Sequence, residues 1–310
     1  MEFVAFLAAA VKSGTCLTYA TLGEIVSEKV GHLNLGVEGM MQIGSIIGFI
    51  TALSFGNPAL AILFAAFAGA VSALLYGFIT VTLKANQVVT GLTLSIFGVA
   101  FADFFGDNYV GKSVPANVVE AFASVKIPLL GNIPVLGDIF FNQSIYVYLS
   151  YIFVILVAFY IKGTKWGLNA RMVGENPAAA DAGGINVDRV KYFNIALCGA
   201  LCGIGGAYLS LVYITVLPVN VVAGRGWIAV ALVIFARWNP ALALAGGVFF
   251  GALDISSFWL QKYSLSISIY WFSALPYLVT IFILIFNSVR QSKDTGEPAW
   301  LGKNYFREDR

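Results

Sequence analysis

Residues 57–70 read NPALAILFAAFAGA and residues 239–252 read NPALALAGGVFFGA; the two stretches agree at eight of fourteen positions. Each opens on Asn-Pro, a strong helix start: the Asn side chain caps the first amides, and Pro at the first helical position gives up an N–H that would have no partner. Each then continues almost wholly apolar. Apolar segments fall at approximately 3–26, 35–55, 59–83, 87–106, 144–161, 191–213, 224–237, 240–261 and 267–287, which makes nine crossings with the two copies five helices apart. An odd offset inverts the second copy. The sequence therefore predicts two halves of opposite topology, about 1–161 and 191–289, an arrangement common among transporters.

The composition agrees with that reading. Of 310 residues, 59% are hydrophobic and 11% are charged, whereas a soluble domain carries roughly 25% charged residues. The chain is expected to be an all-α integral membrane protein, one transmembrane domain over 1–310 in contact with lipid. A net charge of +2 suggests no nucleic-acid partner. The first segment, from Phe3, contains Lys12 and lacks the basic start and small-residue cleavage site of a secretory signal, so it reads as a retained helix. Cys16, Cys198 and Cys202 lie in apolar segments as small hydrophobes, and His32 has no second ligand near it, so no metal site is expected.

Basic residues set the orientation. The loop 162–190 and its edge hold Lys162, Lys165, Arg171, Arg189 and Lys191; the same face collects Lys29, Lys84, Arg237 and the five basic residues of the tail 290–310, 13 of 18 in all. With that face cytoplasmic, the N-terminus and the long loop 107–143 lie outside and the C-terminus inside.

Polar groups interrupt the apolar pattern at two matching places. GHLNLGVEGMM (31–41) precedes the first copy and AGRGWIAVAL (223–232) precedes the second. Both are broken by glycine, and paired broken helices mark a transport pathway, because freed backbone groups are tolerated only in a protein-lined or watery cavity. Asn34 is placed to cap the helix, Glu38 sits at the positive end of the helix dipole, and Gly36 and Gly39 allow close approach. Ionisable and amide groups at membrane depth are functional candidates: Glu38, Asn86, Gln87, Asp103 and Asp254. Asp254, with Ser256 and Ser257 nearby, implies a cavity or a partner, in a functional or a structural pairing. Amide side chains and the aromatics Phe97, Trp227 and Trp271 suit hydrogen bonding and stacking with an uncharged solute. The expected pathway residues are thus Asn34, Glu38, Asn86, Gln87, Phe97, Trp227 and Asp254.

GDNYVGKS (106–113) satisfies the phosphate-loop spelling G-x-x-x-x-G-K-S. It follows a membrane helix rather than a strand, Pro115 stands just beyond it, and no βαβ unit surrounds it, so it reads as a turn into the outer loop.

ARMVGENPAAADAGGINVDR (170–189) is of another kind. Asn176 is an N-cap, Pro177 suits the first position, 178–182 favour helix and Gly183-Gly184 stop it. A short self-capped helix between two membrane segments is a docking element. At this point the residues resemble the permease subunits of ABC importers in the branched-chain amino acid and ribose group, and within it the nucleoside-uptake and simple-sugar-type permeases. The resemblance covers nearly the whole chain and rests on GHLNLGVEGMM after GEIVSEKV (23–30), ANQVVTGLTLSIFG (85–98), VGENPAAADAGGI (173–185) and GRGWIAVALVIFARWNP (224–240). It implies that Glu175, Asn176, Pro177, Ala179 and Gly184 form a coupling helix seated in a separate ATPase subunit. ATP and Mg then belong to that partner, and this chain carries no cofactor and is no enzyme. Also implied are a second permease, identical or homologous, an external binding lipoprotein or periplasmic protein, and a bacterial plasma (inner) membrane. The solute expected is a nucleoside, with a monosaccharide as alternative; an ion-coupled transporter acting alone, with Glu38, Asp103 or Asp254 as relay, is the rival. Lys12 stands where the family pattern has apolar or Pro-containing sequence.

Overall fold

The structure, a computed structural model, describes residues 2–261, 274–282, 285 and 296–307. In chain order the helices are α1 (Glu2–Glu28), α2 (Val37–Phe55), α3 (Pro58–Gly77), α4 (Gln87–Gly106), the short α5 (Ala116–Ala121) and α6 (Leu136–Phe140), α7 (Ile145–Gly163), α8 (Lys165–Glu175), α9 (Pro177–Ala182), α10 (Val187–Tyr208), α11 (Arg225–Phe235) and α12 (Pro240–Gln261). Residues 274–282 are also helical; the rest of the expected ninth segment, with Trp271, lies outside the described residues. Among the described residues, six helices are long and apolar enough to cross a membrane, while α11 is shorter. The chain is a multi-pass membrane protein, mostly helical.

The first helix runs past its expected boundary at 26: α1 continues to Glu28 and buries Glu24 and Glu28 completely or nearly so. The loop 107–143 has structure of its own, α5, α6 and an antiparallel pair of strands, β1 (Ser124–Lys126) and β2 (Asn142–Ser144). The apparent phosphate loop is part of this region. Residues 111–114 form backbone hydrogen bonds with 215–217, and no helix opens on Ser113.

Layering follows from what hydrocarbon rewards. Lipid tails are as apolar as leucine, so helices associate through close packing at small residues rather than by hiding large ones. α2 and α10 occupy the centre, whereas α3, α4 and α7 turn Phe67, Ile96, Phe104, Ile155 and Phe159 outward. α10 packs along α3 and α1 packs along α12. Gly69 of α3 meets the backbone of Gly199 in α10, and Gly251 of α12 meets Ala10 and Gly14 in α1. Gly69 and Gly251 are the thirteenth residues of the two matched stretches.

Both copies start by the same device. The Asn57 side chain accepts the N–H groups of Ala59 and Leu60, and that of Asn239 accepts the N–H of Ala241. They stand at different ends of α1. Gly56 beside Asn57 accepts from Asn117 of the 107–143 region, which also reaches the start of α1 through Gln143 and the Ala8 carbonyl. Trp238 beside Asn239 donates its indole N–H to Glu28 at the finish of α1.

A Cβ at Gly69 would overlap the Gly199 carbonyl, so the helices must separate to admit it. Gly69→Ala is expected to destabilise the protein by about 1–3 kcal/mol, as overpacking does. Thermal unfolding in detergent reads this, and an unchanged midpoint would contradict the backbone crossing.

Candidate functional site

α2 and α11 both begin in the interior after irregular chain, residues 31–36 and 214–224, and meet at their starts. The first amides of a helix have no intrahelical partner and carry its positive end. At α11 those amides are answered by a side chain from another helix. Glu38, in the first turn of α2, accepts the Gly224 N–H at 2.8 Å on one carboxylate oxygen and the Gly226 N–H at 2.7 Å on the other. Glu38 stands in the first turn of α2, where the helix dipole favours a carboxylate as expected, and its oxygens also cap the partner helix. Two glycines make this possible. Gly224 has φ 84°, and a Cβ on Gly226 would lie 2.5 Å from the Glu38 Cα.

Arg225 stands between those glycines. Its guanidinium donates to Asp254 of α12 at 3.1 Å and lies 5.9 Å from the Tyr213 ring centre, and Ser13 of α1 donates to the same Asp254 oxygen at 2.8 Å. Asp254 thus has partners on α1 and α11. A second tie joins Gln42 of α2 to Asn220 in the chain entering α11. Asp103 of α4 borders a cavity of about 90 Å³ with Gln42 and Asn220.

Around the entry to α2 the other expected residues divide. Asn34 does not cap the helix: its side-chain oxygen accepts the Gly36 N–H at 2.9 Å, which closes a turn ahead of α2, and its backbone N–H goes to Glu24 at 2.8 Å. Gln87 accepts the Leu33 N–H at 3.0 Å and donates to Asn304, fastening the link to the tail. Asn86 caps α4 at the surface through the Val89 N–H. Phe97 is half exposed on α4 beside Ile96, and Trp227 is partly exposed one residue past the clamp. The structure therefore gathers Glu38 and Asp254 at one seam and sets Asn34 and Gln87 behind it as supports.

α9 is capped as its sequence suggests: the Asn176 side chain accepts the Ala179 N–H at 3.0 Å, Pro177 opens the helix, and Gly184 has φ 83° with open space around it. Ala179 is exposed, while Ala180 is buried with Val173 and Tyr305. Tail residues 296–307 bind this helix to the core. Glu175 accepts the Ala299 N–H, Asp181 accepts from Tyr305 at 3.0 Å and pairs with Arg307 at 3.2 Å, Gly302 donates to the Gly31 carbonyl, and Asn304 donates to the Lys84 carbonyl at 2.6 Å.

Residues 6–284 match the family described as branched-chain amino acid transport system permease components. The chain belongs to this permease family. It is 34% identical to a putative glucose ABC transporter permease of Haloferax volcanii, with 99% of both chains covered. It is 35% identical to a nucleoside ABC transporter permease of Lactococcus lactis, covering 87% of this chain and 88% of that one, and 33% identical to a guanosine ABC transporter permease of Bacillus subtilis, covering 86% and 87%. No solved structure matches.

Three residues of the permease escaped the sequence reading. Arg225 lay inside a quoted motif without being singled out, although an arginine between two glycines at a membrane-helix start is costly and needs a partner. Glu24, inside the expected first segment, and Glu28, just beyond it, were not singled out; they are buried, one holding the Asn34 amide and the other the Trp238 indole of the α11–α12 link, where Arg237 and Trp238 have positive φ. Their four-residue spacing puts both on one helix face, which was the available signal.

Gly226→Ala is expected to abolish uptake by the permease, because the added methyl overlaps the backbone and carboxylate of Glu38. Uptake in vesicles measures it; a variant that is inserted normally and transports at the wild-type rate would contradict the clamp.

Proposed function

We propose that this chain is the membrane subunit of an ATP-driven importer, moving a small polar solute, a nucleoside, inward through a pathway built on the Glu38 and Asp254 seam. The observation that carries the reading is α9: self-capped, exposed at Ala179 and Gly184, and bonded through the tail to the link that enters α2. That is the construction a motor contact requires, because a push on α9 has a bonded route to the broken helix. ATP and Mg would reside on a separate ATPase. A second permease and an external binding protein would complete the assembly, in a bacterial plasma membrane with the N-terminus outside and the C-terminus cytoplasmic. The basic residues around α8, α9 and the tail support that orientation.

The inverted five-helix repeat belongs to the same proposal. Its support is the exchanged packing, α1 on α12 and α10 on α3, with a matched glycine at each crossing and the two Asn-Pro starts at different ends of α1. The nucleoside is supported by the relatives named for nucleoside and guanosine transport. A monosaccharide is favoured by the relative named for glucose, which aligns over the longest span of the three. A solitary ion-coupled transporter fits less well. Both oxygens of Glu38 are engaged by amides, and Asp254 is engaged by Arg225 and Ser13, so these carboxylates act as braces rather than relays.

Ala179→Trp puts bulk on the exposed face of α9 without touching the membrane core. It is expected to abolish uptake and solute-stimulated ATP hydrolysis while insertion and binding-protein affinity stay normal. A variant that transports at the wild-type rate and still copurifies with its ATPase would overturn the coupling assignment.

A further inference from the structure

Lys12 lies ten residues into α1, where a lysine facing lipid costs about 2.5–3.5 kcal/mol on insertion scales. Its side chain lines an open cleft of about 490 Å³ bordered by residues 119–124, Ser144 and residues 208–215. Ligand sites run from about 300 to 1,000 Å³, so the space is large enough for a small molecule. Opposite charge is present on the same walls, in Glu120 of α5, together with the hydroxyl residues Ser124, Ser144, Tyr213 and Thr215. The backbone at Lys12 is tied to the cleft wall: the Tyr208 hydroxyl donates to the Lys12 carbonyl at 2.8 Å.

We propose that this cleft is a solute-binding site, taking a neutral ring with vicinal hydroxyls, the chemistry shared by the ribose of a nucleoside and by a free monosaccharide. The inference rests on the importer reading above and deepens it. An ammonium donates three hydrogen bonds and accepts none, a carboxylate only accepts, and hydroxyls do both, so adjacent O–H groups on one neutral ring find complementary partners here. A solute of single net charge is attracted by one of the two charged groups and repelled by the other, and a zwitterion, which pairs with both, is the competitor that the leucine arm below tests. The site also adjoins the helix seam. Ser13, next to Lys12, donates to Asp254, and Tyr213 on the cleft wall lies against Arg225, which sits between the two glycines held by Glu38. An occupant therefore touches residues that neighbour the clamp.

The test uses the assembled importer, with Val212→Cys introduced singly and Ala123→Cys as a second reporter, apolar lining positions that leave Lys12, Glu120 and the hydroxyl residues in place; native Cys16, Cys198 and Cys202 are buried. A membrane-impermeant methanethiosulfonate is added from outside, with guanosine, glucose or leucine as protectant. Modification slowed several-fold by guanosine identifies a nucleoside, and slowing by glucose alone identifies the monosaccharide; either supports the site. Protection seen only with reagent and solute on the cytoplasmic side supports the site and overturns the orientation proposed above. Absence of modification at both reporters, modification that neither guanosine nor glucose slows, or protection by leucine alone overturns the proposal.

Discussion

The Glu38 carboxylate, shared between the Gly224 and Gly226 amides, is the contact on which the rest of the arrangement depends. A helix that starts inside a membrane protein exposes amides that no water in hydrocarbon can satisfy, and each such group costs several kcal/mol. α2 and α11 both start this way. One solution would cap each with its own side chain, but neither Gly36 nor Gly224 has a side-chain cap. Instead a carboxylate from one helix answers the other, so the two interrupted helices cannot separate without leaving a buried charge and two orphan donors.

α1 supplies the frame for that contact. Along a single helix, Ser13 braces Asp254, Glu24 holds the chain entering α2, and Glu28 holds the sharp link between α11 and α12. The tail adds a strap on the far side, where Gly302 bonds Gly31 and Tyr305 bonds Asp181. In the importer we propose, this chain of contacts explains how a docking helix at the surface and a clamp in the interior can move together. The path combines hydrogen bonds to backbone atoms with side-chain pairs; the Arg307–Asp181 ion pair sits at its exposed end, where screening makes it weak, whereas Arg225–Asp254 lies in the interior seam.

Much of this was legible in the residues. Asn-Pro marked the starts of α3 and α12, and Asn176-Pro177 marked α9, because caps are local chemistry that a sequence displays directly. The segment boundaries of α4 and α12 coincide with the apolar runs for the same reason. Partnership was less visible. Glu38 was found by its cost, but nothing within 31–41 says that its acceptors face Gly224 and Gly226, 186 and 188 residues away. Asn34 looked like a cap since its type and place were right; the fold spends its oxygen on an earlier turn. Hydropathy gave no signal that Glu24 and Glu28 are buried, because it averages over a face that only the partner helices define.

The most direct test of the account is amide hydrogen exchange across residues 222–228 in the intact protein, compared with Glu38→Gln. The carboxylate account requires slow exchange at Gly224 and Gly226 in the wild type. A carboxamide can accept one N–H but turns an NH2 toward the other, so at least one of those two amides should exchange much faster in the variant while neighbouring α11 amides from Ile228 onward stay protected. Equal protection of both glycine amides in the two proteins would contradict the claim that Glu38 holds the helix starts together.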